Sequence, residues 1–502
     1  MKRLLAVAAG VLLLALPACG QKTDETNRAA GITPKDAVAF LDFNLSPSIE
    51  QQRNLLSVAR RLPGTRAKVR ETFEDARDEL IAEALRDTGL DYGKDVKPWL
   101  GDEVAVAALP RAGGSPELVY LVQTHDADAA EAAIAKASAH GGFAGRFAVV
   151  DGFVVVSDQV PPSDNAAVLA RVAATAKKDD GGLAATPGFA KLVDQLHGDR
   201  LVLGWASTRD VLAQRRDRGG VFGGLIGGLL STLDENGGPT AVDLHAEKQA
   251  VVAEGVTTID PSGGKTSSLE LTRSLPASTL AAVTFVGDKV PAGALAKLPA
   301  GATSFTKALG FDPRADILPW AGGESVLVVG PIRPGRRTPD LALVVQPTDA
   351  AKAQAGVAKI HDLLAGRGLP VVERQVAGTT AYVAALPFQG FQPAMGLFPG
   401  RFVLASSPEF LGDLAKPASP DLASTSGYRA AVGTDQEGTT FQVVVLIDRA
   451  REAMEALGLT DPARRAHYEK DVKPNLEPLD AFGVRSHHDG GYSRFEARLT
   501  FD

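Results

Sequence analysis

The chain has 502 residues, 45% hydrophobic and 23% charged, with 52 glycines and 31 prolines, which excludes a disordered or collagen-like polymer. That length is too great for one ordinary core and calls for at least two packed units. A formal charge of −7 argues against a general nucleic-acid binder, and a single cysteine excludes a disulfide framework.

Residues 1–18 read as an export signal. Lys2 and Arg3 make the positive start, and Leu4 to Leu16 make an apolar stretch too short to span a bilayer as a mature helix. Leu16-Pro17-Ala18-Cys19 then looks like a bacterial lipobox, in which Cys19 becomes the first mature residue and carries a diacylglyceryl group. Pro17 is a less usual occupant of its position. Two acyl chains hold stably where one holds only marginally, so the expected partner is the membrane, through diacylglyceryl-Cys19. Loss of Lys2 and Arg3 takes the charge from −7 to −9, which gives the body no electrostatic pull toward an anionic leaflet. Residues 19–31 are expected to be the lipidated cysteine and a flexible tether. No other stretch approaches about 18 consecutive apolar residues.

Laid on itself, the mature chain repeats. Gly89-Leu90-Asp91 and Asp95 to Glu103 recur as Gly310-Phe311-Asp312 and Asp316 to Glu324, at a constant offset of 221. Pro34 with Ala37 to Phe43 matches Pro276 with Thr279 to Phe285, and Thr186-Pro187-Gly188-Phe189 matches Thr425-Ser426-Gly427-Tyr428. Two units are therefore expected, residues 32–274 and 275–502. Within the first, Glu103–Leu109, Glu117–Gln123, Phe147–Val150 and Phe153–Ser157 read as strands, and Asp151-Gly152 marks a tight hairpin. Arg66–Arg86 and Asp126–Ala137 have helical spacing, and Asp126 or Asp349 is placed to cap the helix after the second strand of each unit. Hairpins close both units, at Thr240–Ala246 with Ala250–Thr258 and at Phe482–Ser486 with Tyr492–Phe501. The expected class is α+β, two tandem copies of a mostly antiparallel sheet with packed helices.

The Pro-Trp-x-Gly-x-Glu residues before a strand, the Pro34 strand, the duplicated layout and the lipobox together resemble the bacterial family catalogued as domain of unknown function 3352, over nearly the whole mature chain. The resemblance implies a secreted or membrane-anchored envelope protein with no assigned activity or catalytic residues.

The candidate sites divide by chemistry. Pro98, Trp99 and Gly101, with Pro319, Trp320 and Gly322, invite a stacking ligand, but a proline that stops a helix, a large core filler and a glycine before a strand read better as a structural corner. Glu103 and Glu324 open the following strands, where a salt bridge or hydrogen bond is the default role. His125-Asp126 and His487-His488 fit a helix cap and a hairpin end better than a metal site. Gly264-Lys265-Thr266 lacks the first glycine of a phosphate loop. No catalytic, metal or cofactor-binding residue is expected, and no cofactor.

Two departures between the units remain. Residues 219–230 of the first are Gly-rich and apolar, with Phe222, Leu225 and Ile226, and fit either close packing or an interface. The second replaces the Asp151-Gly152 turn by residues 387–400, where Phe388, Phe391, Met395 and Phe398 make either an exposed contact patch or a lid on the core. The preferred reading is a non-catalytic binding or scaffolding protein anchored by lipid outside the cytoplasm, with a lipid or an envelope protein as partner. Its sharper form has facing sheets enclose an acyl group beneath Phe388, Phe391 and Phe398. The alternative is an envelope hydrolase whose carboxylates, Glu103 and Glu324 first, converge in one cleft.

Overall fold

The computed structural model describes residues 27–63, 72–86, 88–111, 116–140, 146–157, 165–178, 180–207, 238–258, 265–287, 320–366, 370–384, 392–434, 437–457 and 462–502. The chain divides into two compact units, Met1–Ile259 and Asp260–Asp502. Both are α+β.

In the first unit, β1 (Ala39–Asn44), β2 (Leu100–Leu109), β3 (Glu117–Thr124), β4 (Arg146–Val150), β5 (Phe153–Ser157), β6 (Val202–Ala206), β7 (Thr240–Glu247) and β8 (Ala250–Thr258) form one sheet in the order β4-β5-β3-β2-β1-β6-β7-β8. Every described pairing is antiparallel. Helices Phe73–Leu85 and Ala127–Ala139 bury Ile81, Leu85, Ala130 and Ala133 with Trp99 and Val154. Asp126 caps the second of these helices, its Oδ1 accepting from the Ala129 amide at 3.0 Å. Elsewhere in the unit, Phe40 of β1 meets Phe189 of helix Pro187–Val193 edge-on at 5.9 Å.

The second unit has β9 (Ala281–Val286), β10 (Glu324–Val329), β11 (Leu341–Val345), β12 (Val371–Val376), β13 (Thr379–Ala384), β14 (Ala394–Phe398), β15 (Arg401–Ala405), β16 (Thr439–Leu446), β17 (Leu479–Asp489) and β18 (Tyr492–Phe501). Their order is β12-β13-β14-β15-β11-β10-β9-β16-β17-β18, again antiparallel throughout the described pairings. Helices Pro408–Leu414 and Ser426–Val432 cover one core, which holds Val326, Val344, Val403 and Phe398. Helix Ala350–Gly366 covers another with Trp320, Met395 and Phe402, and Asp349 caps it through the Lys352 amide at 3.0 Å.

Strand registers agree pair by pair. Ala39 lies opposite Ala108, and Ala281 opposite Val329. Leu121 faces Val155, and Val344 faces Val403. Asp243 faces Glu254, and Arg485 faces Glu496.

The registers correct the expectation about residues 387–400. Val150 pairs with Phe153 around Asp151-Gly152 as Phe398 pairs with Arg401 around Pro399-Gly400, so a two-residue turn is present in both units. Proline presets the first turn position and Gly400, at φ 75°, supplies the left-handed second one. The added element is the hairpin β12–β13, which turns at Ala377-Gly378 with φ of 48° and 80°. Alternating burial was hidden in β14 and β15 because almost every side chain is covered, so no period of two marks them.

Both boundaries expected from the sequence also move. Residues Arg28–Ile32, expected as the end of the tether, form a helix with Ala29 and Ala30 fully buried. Residues 265–274, expected to end the first unit, belong to the second: Ser267 bridges Thr439, and helix Glu270–Arg273 packs Leu271 into its core.

Candidate functional site

The two short entry helices lead to buried ionisable groups. In β1 the sequence Ala-Phe-Leu-Asp-Phe-Asn alternates, which puts Asp42 on the same face as Phe40. Asn44 pairs with Glu103 and Asp42 with Ala105, so Asp42 and Glu103 are diagonal neighbours on one face of the sheet. Both are 5% exposed. Helix Arg28–Ile32 lies against Glu103, and the Ala29 amide donates to its Oε1 at 2.9 Å. Asp42 Oδ1 and Glu103 Oε2 find no donor in the protein.

Electrostatics follow from that enclosure. Burial pushes the Glu103 carboxyl up to about 7, against the Ala29 amide and the Arg28 charge, which pull it down. Burial, reinforced by the Glu103 charge, raises Asp42 well above the usual carboxylate range, with Arg200 opposing. Two carboxyls confined together cannot both ionise cheaply, so the pair retains a proton near neutral pH.

Arg200, just ahead of β6, is buried, and burial lowers its guanidinium against the pull of Asp243 and Asp42. It donates to the His197 carbonyl at 3.3 Å and, weakly, to Asn27 Oδ1 at 3.5 Å. Asp243 on β7 accepts from the His197 amide at 3.0 Å and holds His245 Nδ1 at 2.8 Å. Burial pulls the His245 imidazole down, but Asp243 outweighs it and the net shift is upward. The His197 ring stacks on that of His245 at 4.3 Å.

The corresponding place in the second unit is built from the same helix and strand positions with different side chains. Glu324, 1% exposed, accepts from the Leu271 amide at 2.9 Å, the Thr272 amide at 2.6 Å and the Thr272 hydroxyl. Thr284 stands on β9 where Asp42 stands on β1, and its hydroxyl lies 2.7 Å from that of Thr272. Burial raises Glu324, opposed by those three donors. Its neighbouring cation, Arg401, is buried and fixed by the Ser274 hydroxyl at 3.1 Å and the Leu414 carbonyl at 3.4 Å. The residue before each helix has left-handed backbone, Asn27 at φ 94° and Leu269 at φ 56°. Asparagine tolerates that region. Leucine does not, and complete burial of Leu269 offsets the strain.

Chemically, Glu103 and Glu324 act as acceptors for backbone amides of their own unit's entry helix. Each is enclosed within its unit. Among the described residues, no group of three or more His, Cys, Asp or Glu side chains is arranged to hold a metal.

The residues singled out from the sequence are placed as follows. Trp99 is buried, its Nε1 donating to the Asp95 carbonyl at 2.6 Å, while Pro98 is exposed at the corner. A Cβ on Gly101 would meet the Gln123 side chain at 2.7 Å, and one on Gly322 would meet Thr348 at 3.0 Å. Trp320 meets Phe402 edge-on at 5.2 Å, and its carbonyl accepts from the Thr348 amide at 3.0 Å. Met395 and Phe398 are 2% and 3% exposed, which decides for these two between a contact patch and the core, since β14 carries both into the two cores. Cys19, Phe222, Leu225, Ile226, Pro319, Phe388 and Phe391 lie outside the described residues. A cleft lined by Ile360, Val371, Tyr382, Met395 and Leu404 encloses about 10 Å³, room for roughly one water and no more.

Sequence reading missed Asp42, Arg200, Thr272 and the helix Arg28–Ile32. Two signals were available: a charged residue on the inward alternation of an apolar strand, and the match of Pro34 with Pro276, which extends backward without a gap to Ala29 and Leu271.

A family model described as protein of unknown function (DUF3352) matches residues 3–501. No curated protein and no solved structure matches the chain.

Proposed function

The chain belongs to the DUF3352 family, and from that premise we propose that it is a lipid-anchored envelope protein outside the bacterial cytoplasm, made of two tandem copies of one unit, that binds or scaffolds without catalysis. The observation that carries the anchoring is the lipobox and its distance from the fold. Only seven residues lie between Cys19 and Asn27, at most about 30 Å of extended chain from one to the other. An acylated Cys19 would hold the first unit close against the bilayer. The common strand order and register support the duplication.

Two features favour binding over chemistry. Each buried glutamate accepts from amides of its own unit's entry helix, which gives both a structural role. The apolar segments containing Phe222, Leu225 and Ile226, and Phe388 and Phe391, stay the proposed contacts for a lipid or an envelope protein. The cleft beside Met395 holds no acyl chain as it stands, since ligand pockets run from about 300 Å³ upward.

Mass spectrometry of the chain purified from bacterial membranes tests the anchor: a diacylglyceryl mass on the peptide beginning at Cys19 is expected, and unmodified Cys19 would refute it. Cargo is tested by native mass spectrometry with and without Phe388→Ser and Phe391→Ser. Phe398 is left intact because it is core. A released lipid mass lost in the variant supports cargo binding, and a clean apo mass in both removes it.

A further inference from the structure

We infer that the helix Arg28–Ile32, which joins the segment after Cys19 to the first unit, is a proton-sensitive latch, docked while the Asp42–Glu103 pair keeps its proton and loosened when the pair ionises. The geometry is the argument. One face of the helix covers Glu103: Ala29 and Ala30 are fully buried, and the Ala29 amide donates to the carboxylate at 2.9 Å. Peeling the helix away returns Glu103 to water. Docking therefore removes the Glu103 carboxyl from solvent, beside a second buried carboxyl, while satisfying only part of it, since Glu103 Oε2 and Asp42 Oδ1 have no donor.

The surrounding charges do not cancel this cost. From the helix itself comes Arg28, which is exposed and lies 5.9 Å over the Phe153 ring, together with the neutral Asn27. Ahead of β6 comes Arg200, shared between Asp42, Asp243 and Asp194, beside His197. From β7 come Asp243 and His245, already paired with each other at 2.8 Å. Thus one divided buried arginine and one exposed arginine face two buried carboxyls. The second unit has no such imbalance: Thr284 replaces Asp42, three donors fill Glu324, and Arg401 is held close by.

The sign follows from linkage. The docked carboxyl titrates above its free value of 4.5, so the docked state binds protons that the open state releases. Docking is fully supported below about pH 4.5 and loses that support as pH rises to about 7. What the latch holds near the first unit depends on the anchoring proposed for Cys19; the latch itself does not.

Hydrogen exchange on the membrane-purified chain in detergent tests it, corrected for the intrinsic pH dependence of exchange. Between pH 5.5 and 8, protection of amides 29–33 is expected to fall by about tenfold or more, with amides 271–272 changing far less. Unchanged protection at 29–33, or an equal fall at 271–272, would overturn the latch. In Asp42→Thr with Glu103→Gln, where the amide still accepts a hydrogen bond and nothing titrates, the pH dependence should vanish; its persistence would also overturn it. If that variant does not fold, the unmodified chain decides alone. Intact mass on the same sample reports acylation separately, so failure of the anchor and failure of the latch are distinguishable.

Discussion

Two entry helices reach two buried glutamates at equivalent strand positions, yet one contact is filled and the other is not. Around Glu324, two amides and a hydroxyl converge on the carboxylate, and Thr284 passes its own hydroxyl to Thr272. Around Glu103 there is one amide, a second carboxylate and two oxygens without donors. The difference teaches that a buried charge fastens a helix only when its hydrogen-bonding capacity is met, and becomes a titrating group when it is not.

The largest effect expected from this comparison comes from emptying the filled site. Glu324→Leu should destabilise the second unit by about 3–5 kcal/mol in urea unfolding, because it strands two buried amides and a hydroxyl. Glu103→Leu strands a single amide and should cost no more than about 1–2 kcal/mol at pH 8. Equal costs would break the comparison. Next comes Thr284→Asp, which rebuilds the carboxyl pair in the second unit and should cost about 2–4 kcal/mol at pH 8, less at pH 5.

Glu103→Gln has the opposite sign. Its amide oxygen still accepts from Ala29, and it removes a charge whose ionisation in the folded protein is disfavoured. It should stabilise the first unit by about 1–3 kcal/mol at pH 8 and be near neutral at pH 5, where Glu103 is already protonated. Thermal or urea unfolding at the two pH values reads this directly, and destabilisation at pH 8 would contradict the account. The smallest effect is Thr272→Val, which removes one of three donors to Glu324 and leaves the amides in place; a loss of about 1 kcal/mol is expected, with no change in the first unit.

Much of this fold was legible because its strands announce themselves locally. The Asp151-Gly152 turn, the closing hairpins and the Asp126 and Asp349 caps all depend on neighbours in sequence. Strand β14 was not legible, since side chains covered on both faces of a sheet carry no alternation. The site was legible only in part. Glu103 and Glu324 stood out at strand starts, but their partners Ala29 and Leu271 lie 74 and 53 residues away. Alanine and leucine offer only a backbone amide, and composition cannot mark that. Arg28–Ile32 looked like tether because five residues on their own carry no amphipathic pattern; tertiary burial, not helix propensity, fixes them.

Exchanging the two residues that distinguish the sites tests the central claim most directly. In a chain carrying Asp42→Thr and Thr284→Asp, with Glu103→Gln so that nothing titrates at the first site, hydrogen exchange between pH 5.5 and 8 should show the pH-dependent loss of protection transferred from amides 29–33 to amides 271–272. PH dependence that stays at 29–33 would show that the carboxyl pair does not govern the contact.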